Sequence, residues 1–341
     1  MSRKTAFITG ANGFIGSTVA KAFSQRGWLT YGLMRSDRSA MDLRRDEVIP
    51  IIGTAGDVAS FMSILPAIDV IITCDEDLSN YIAHHQARLS MTKQLCKHSM
   101  AQRGGAKPLV IFSSGCKDYG TTPLHGEADL EAHTETSPLN PPDLLRPRTE
   151  AALDMLINHT GDFDCVVTRP TTLYGRSGSH YTYFFSLAEQ AKQEWGGVLD
   201  LPANPNSILH GTHVDDVAAA YLALATAPRH LVAGQTFNIS AHQYETLAQI
   251  ARAIEKSHGI TVTYRARRPS DDETFGLYVT ALFNFSQWVG SQKIREDLGW
   301  RDEKPLFSQG YEVFRAAWDA ARVRDPEQVA RVMGRKDPGR L

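Results

Sequence analysis

Thr9-Gly10-Ala11-Asn12-Gly13-Phe14-Ile15-Gly16 sets three glycines at three-residue spacing between the apolar run Ala6–Ile8 and a helical pattern. Small residues at such a turn let backbone N–H groups approach an anion at the positive end of a helix dipole. The stretch therefore predicts a strand, a tight turn and a helix start. Its Gly-x-x-Gly-x-x-Gly spacing differs from the Gly-x-Gly-x-x-Gly of the common dinucleotide fingerprint, and glycine triplets also recur in ordinary turns, so the flanks decide its meaning.

Those flanks agree with one another. Ala6–Thr9 reads as a first strand, and Gly16–Arg26 as a helix that buries Val19, Ala20 and Phe23 and ends at Gly27. Trp28–Met34 is a second strand, and a crossover of this length makes the pair parallel. Val48–Ile52, Ile68–Thr73, Pro108–Ser113 and Cys165–Arg169 continue the strands, with helices expected at Ala59–Leu65, Tyr81–Arg103 and Glu150–Asn158. The alternation predicts an α/β fold: a Rossmann-type doubly wound parallel sheet with ligands at the carboxyl ends of its strands. In that setting the glycine turn predicts a bound dinucleotide.

Beyond Pro170 the rhythm breaks. Residues 175–205 are rich in Gly, Ser, Tyr, Asn and Pro, which suggests inserted, substrate-facing structure with a helix at Tyr183–Glu194. Ile208–His213 then reads as a strand, Asp216 as the cap of a helix Val217–Ala227, and Thr236–Ile239 as a strand returning to the sheet. Thr246–Ser257 is an amphipathic helix, and Ile260–Tyr264, Ser291–Leu298 and Leu306–Ala320 complete a smaller mixed lobe. The division expected is a dinucleotide-binding domain of residues 1–170 completed by 206–240, a substrate lobe of 171–205 and 241–325, and a charged tail of 326–341.

Composition narrows the chemistry. With 36 Lys and Arg against 38 Asp and Glu in 341 residues, no bulk charge points to nucleic acid or an anionic membrane. A small-molecule substrate is the expected partner, and a homodimer is compatible with the fold. Cys74, Cys96, Cys116 and Cys165 are scattered, and the first apolar run begins within a few residues of Met1, so a cytoplasmic protein without a signal peptide is expected. No set of His, Cys or Asp residues has ligand spacing, so no metal is expected.

Several further motifs follow in order. Ser113-Ser114 precedes Tyr119-Gly120, Thr134–Pro138 reads T-E-T-S-P, Arg169–Gly175 reads R-P-T-T-L-Y-G, and His213–Ala218 reads H-V-D-D-V-A. Phe237-Asn238-Ile239 and Lys293–Trp300 come later. With Thr9–Gly16, they make the chain resemble the extended short-chain dehydrogenase/reductase family of nucleotide-sugar epimerases, dehydratases and related reductases. That resemblance implies a nicotinamide cofactor. It also implies a Ser-Tyr-Lys triad in which Tyr exchanges the proton, Ser orients the reacting oxygen and Lys holds the ribose while lowering the Tyr pKa.

The triad does not carry over. Matching Ser113–Gly120 without a gap puts Gly115 at the Ser position. Anchoring the next helix on Glu150 puts Pro142 at the Tyr position and Arg146 at the Lys position. Substitute groups are Lys117 and Tyr119 on the loop after the fifth strand, with Ser114 to orient an oxygen and Arg146 to keep a positive charge near the ribose. Tyr119 is equally readable as a packing residue and Cys116 as a small buried one.

Gly10, Asn12, Gly13, Phe14, Ile15 and Gly16 form the expected cofactor turn. The second strand ends in Arg35-Ser36-Asp37-Arg38, where NAD-specific relatives usually carry an acidic residue. Arg35, Ser36 and Arg38 instead suit a 2′-phosphate, which favours NADP(H) over NAD(H). By resemblance, Asp57 and Val58 lie at the adenine edge, and Thr73, Pro170 and Leu173 along the ribose and nicotinamide. The resulting expectation is an NADP(H)-dependent oxidoreductase acting on a carbonyl or alcohol of a small, aromatic or apolar metabolite. Tyr174, Tyr181, Tyr183, Phe184, Phe185 and Trp195 are either its pocket or core. The alternatives are a non-redox isomerase, epimerase, lyase or retro-aldol-type enzyme that retains the cofactor, and a nucleotide-sensing protein without turnover.

Overall fold

Short runs of buried Val, Ile and Phe pair side by side because a strand covered on both faces needs no polar side. In the computed structural model, which describes residues 3–176, 178–276, 282–324 and 326, these runs are β1 (Thr5–Ile8), β2 (Leu29–Met34), β3 (Ile49–Ile52), β4 (Val70–Thr73), β5 (Leu109–Ser113) and β6 (Asp164–Pro170). Next come β7 (Thr172–Tyr174), β8 (Val198–Leu201), β9 (Ile208–Leu209), β10 (Gly211–His213), β11 (Gln235–Ile239), β12 (Glu245–Thr246) and β13 (Thr261–Tyr264). Seven of them form one parallel sheet in the order β11-β6-β5-β4-β1-β2-β3. This is the doubly wound Rossmann-type fold that the alternation predicts, and the strand order reverses between β1 and β4.

Helices cover both faces. On one face Val19, Ala20 and Phe23 of the helix Phe14–Gln25 pack with Val217, Tyr221 and Leu224 of the helix Val214–Thr226. On the other, Met91 and Leu95 of the helix Tyr81–Gln102 pack with Ala152 and Met155 of the helix Arg146–Ile157. Each such fully buried Val, Leu, Phe or Met contributes about 1.5–3 kcal/mol, so these two layers carry most of the sheet's stability.

A second core lies in the C-terminal lobe. Tyr174, Tyr181, Tyr183, Phe184 and Phe185 are all at most 2% exposed there, and all but Tyr183 set their rings against Phe307, with Trp195 packed at the edge. Tyr174 donates its hydroxyl to the Pro305 carbonyl at 2.7 Å. These aromatics fill a core, and Tyr181 among them also borders a small cavity shared with Lys117. The lobe also holds the parallel pair β8–β13, of which β8 falls in the stretch expected to be irregular.

Two local expectations are corrected. The single strand expected over Ile208–His213 divides: β9 pairs antiparallel with β12, and β10 pairs parallel with β7. His210 separates the two, and β10 opens at Gly211, where a Cβ would stand 2.6 Å from the Tyr181 hydroxyl and 2.9 Å from Tyr174. The cap of the helix Val214–Thr226 is His213, whose Nδ1 accepts from the Asp215 N–H at 3.1 Å. Asp216 is instead buried and accepts the backbone N–H groups of Glu303 and Lys304 at 3.1 and 3.2 Å. The charged tail, apart from Pro326, lies outside the described residues.

Candidate active site

The glycine turn is built by close approach. Gly10 has φ +61°, a conformation that favours glycine, and a Cβ on it would lie 2.8 Å from the Cys74 carbonyl. A Cβ on Gly16 would overlap the Gly10 carbonyl oxygen, so the helix Phe14–Gln25 can begin against the turn only without one. Gly13 donates its N–H to Gly10 at 2.8 Å, and Ala11 to Leu33 of β2 at 3.1 Å. Thr9 donates its hydroxyl to Asp75 and accepts the Cys74 N–H at 3.1 Å, which ties the turn to the end of β4. Asn12, Phe14 and Ile15 are partly buried beside it, and the first turn of the helix carries no acidic residue to repel an anion.

The remaining cofactor candidates lie at or a few residues past the carboxyl ends of the sheet's strands. Arg35, Ser36 and Arg38 are exposed just past the end of β2. Asp57 is exposed and uses Oδ2 to accept the Thr54 N–H at 2.9 Å and hydroxyl at 2.7 Å, while Val58 is buried in the core. Those bonds lower the Asp57 pKa. Thr73 at the end of β4 accepts the Ser113 N–H at 3.2 Å, Pro170 ends β6, and Leu173 lies buried in β7.

The catalytic candidates are treated differently by the fold. Asp118 is fully buried at the end of β5, where a bare carboxylate would be prohibitively costly. It accepts hydrogen bonds from Arg148 Nη2 at 2.9 Å, Thr149 Oγ1 at 2.9 Å, Arg169 Nε at 3.1 Å and the Ser114 hydroxyl. Burial pushes its pKa up, but Arg148, Ser114 and Arg169 outweigh that, and the net shift is downward. Ser114 is thereby committed to Asp118. Tyr119, 2% exposed, donates to Asn238 Oδ1 at 2.8 Å and accepts from Arg169 Nη1 at 3.2 Å. Burial raises its pKa, and its hydroxyl is committed to Asn238 and Arg169.

Arg146 lies on the surface, its guanidinium 2.9 Å from Asp143 three residues earlier. Such an exposed pair contributes little to stability. The guanidinium that reaches the end of β5 belongs to Arg148, two residues further on. A 3₁₀ turn at Asp143–Leu145 starts the helix ahead of the expected Glu150, so Arg148 and Thr149 both reach Asp118. Sequence reasoning missed Arg148. The signal was Asp118 itself, a charge between two buried positions that demands a cation.

Lys117 alone of the four keeps a head group without a hydrogen-bond partner among the described residues. Its Nζ sits 3.5 Å from the centre of the Phe285 ring. Thr172, Tyr181, His210 and Gln287 surround the same small cavity of about 10 Å³, close to what one water requires. Burial, and then the charge of Arg148, bring the Lys117 pKa down to about 7. Burial likewise takes His210 to about 4, so it is neutral, and Nε2 lies 3.0 Å from the Ala241 carbonyl. Gln287 donates to the carbonyls of Cys116 and Gly120 at 2.7 and 2.6 Å, which fixes the loop that carries Lys117. Among the described residues, no three His, Cys, Asp or Glu side chains converge as a metal site, and no helix is long and apolar enough to cross a membrane.

A parallel sheet with a glycine turn at its reversal point and ionisable groups at the neighbouring strand ends defines a dinucleotide-binding α/β enzyme scaffold. The chain belongs to the NAD-dependent epimerase/dehydratase family, whose pattern it matches over residues 6–240. It is 24% identical over 303 residues to an uncharacterized protein of Schizosaccharomyces pombe, covering 86% of this chain and 94% of that one. Its fold is similar to that of a dTDP-glucose 4,6-dehydratase from Bacillus anthracis solved with NAD, at TM-score 0.74 and 15% identity over 95% of this chain and 99% of the other. It is also similar to a UDP-glucose 4-epimerase from Thermotoga maritima solved with UDP-glucose, at TM-score 0.68 and 16% identity over 93% and 99% of the two chains.

Proposed function

We propose that the protein is an NADP(H)-dependent oxidoreductase that interconverts a carbonyl and an alcohol on a small metabolite, with Lys117 in place of the missing Tyr as proton donor and acceptor. The observation that carries this reading is the Lys117 amine at the carboxyl end of the sheet, over the Phe285 ring, without a hydrogen-bond partner among the described residues and with a pKa of about 7. Gly10, Gly13 and Gly16 admit a pyrophosphate to the helix start, and Arg35 and Arg38 stand where a 2′-phosphate would project. The cofactor supplies the hydride. Lys117 gives its proton to the reacting oxygen in reduction and takes it back in oxidation, while Gln287 holds its loop and the Phe285 ring lies under its head group. With the aromatics of the second lobe committed to core, the reading favours a small polar substrate over an aromatic one.

A second reading is an isomerisation or elimination without net change of the cofactor. The likeness to a 4,6-dehydratase and a 4-epimerase supports it, as does the loss of all three triad members. Incubation of the purified protein with NADPH or NADH and a panel of aldehydes, ketones and oxo acids separates the two, with nicotinamide absorbance and product mass followed together. Net cofactor oxidation that is lost in Lys117→Met supports the oxidoreductase. Product without net cofactor change supports the second reading, and Lys117→Met with full turnover removes Lys117 from the mechanism.

A further inference from the structure

Arg148 is held in an unusual balance. Its Nη2 is bound to buried Asp118 at 2.9 Å, but Asp118 is shared with Arg169, so two guanidiniums meet one carboxylate. The other ion-pair partner of Arg148 is Glu76, with Nη1 3.5 Å from Oε1. That is well beyond the roughly 2.7–2.9 Å of a charge-assisted hydrogen bond. The Arg148 Nε is buried without a hydrogen-bond partner among the described residues. Glu76 is 40% exposed whereas Arg148 is 12% exposed, so Glu76 can leave for water at little cost while Arg148 cannot.

The place matters as much as the charge. Glu76 directly follows Cys74-Asp75, the backbone against which Gly10 of the nucleotide turn is packed. On its other side the guanidinium lies against Gly115, where a Cβ would stand 3.2 Å from Nη2. Arg148 thus spans the ends of β4 and β5, next to the loop carrying Lys117, whose head group lies over the Phe285 ring.

We propose that Arg148 binds a carboxylate of the substrate, with Glu76 as the stand-in that the ligand displaces, so that the enzyme selects small oxo- or hydroxy-carboxylates. A planar guanidinium offers two N–H groups to a carboxylate, and the incoming group replaces a loose pair with a short, bidentate one. The proposal rests on the reading above for the position of the substrate and adds its class. Gly115 is then the residue that makes room for the cation, and the absent serine is the other side of that exchange.

The test uses the full chain with pyruvate, 2-oxobutanoate and 3-oxobutanoate as probes, each paired with its methyl ester, and binding is followed by ligand-observed NMR with and without NADP⁺. The acids are expected to bind about tenfold or more tighter than their esters. Glu76→Gln, which leaves the Arg148–Asp118 bond in place, should tighten the acids several-fold and leave the esters unchanged. Arg148→Lys should retain part of the preference and Arg148→Gln none. Acids and esters binding alike, no acid binding at all, or a Glu76→Gln protein with weaker acid binding overturns the proposal. So does a tenfold loss of NADP⁺ affinity in Arg148→Gln with no acid preference in the native protein, because the cation would then serve the cofactor. An acid preference without net nicotinamide turnover leaves this assignment standing and defeats the oxidoreductase reading, so the two fail separately.

Discussion

The guanidinium of Arg148 lies flat against the backbone of Gly115, with Nη2, Cζ and Nη1 at 3.2, 3.4 and 3.4 Å from the point a Cβ would occupy. Gly115 is extended, with φ −167°, so its backbone would accept any residue, and the contact with Arg148 is what limits the position. Gly115→Ser therefore does not restore the serine of a redox triad. It pushes the guanidinium aside and is expected to cost about 1 kcal/mol, a fall of roughly 2–4 °C in melting temperature, with turnover reduced. A variant that melts with the native protein and turns over faster contradicts this account.

Asp118 holds two arginines in a buried cluster, and its loss leaves both unpaired. Asp118→Asn is expected to destabilise the protein by about 3–5 kcal/mol in chemical denaturation, far more than Arg146→Ala, which breaks only an exposed pair. Because the folded-state pKa of Asp118 is depressed, its contribution is fully present above the ordinary carboxylate value. It is lost as pH falls through the lower folded value. Denaturation midpoints measured from neutral pH into the acid range should show this loss in the native protein and a shallower one in Asp118→Asn.

Lys117 sets a pH dependence of activity. Its pKa is brought down to about 7 by burial and by Arg148, so carbonyl reduction, which needs the protonated amine, is expected to fall about tenfold per pH unit above that value, while alcohol oxidation rises towards it. Lys117→Met should remove this limb and lower kcat by about 10²–10⁴. The same depression makes the folded form lose its proton first, so this group's contribution to stability rises with pH between about 7 and the usual lysine range. A pH–rate profile that Lys117→Met leaves unchanged would exclude the lysine.

Arg35 and Arg38 stand exposed past β2, where they gain little from packing. Arg35→Ala and Arg38→Ala are expected to weaken NADP(H) binding about 10- to 100-fold each, at roughly 1.5–3 kcal/mol per charge-assisted bond, and to change NAD(H) binding little. Fluorescence titration with both cofactors checks this, and equal losses for the two would remove the 2′-phosphate assignment.

Much of the molecule was legible in the chain by itself. The spacing of Gly10, Gly13 and Gly16, the apolar runs and the order of the later motifs determined a doubly wound sheet, its family and the place of its glycine turn, because these depend on backbone sterics and periodicity that act over a few residues. Whether Ser114, Tyr119 and Arg146 are free to react could not be read there. That depends on Asp118, Asn238 and Asp143, and two of the three contacts span distances in sequence or require the exact start of a helix. Tertiary structure alone decided that Arg148, rather than Arg146, meets Gly115 and Asp118. The physical reason is rotation: two residues along a helix turn a side chain by about 200°, so an early 3₁₀ turn exchanges a surface arginine for one at the end of the sheet.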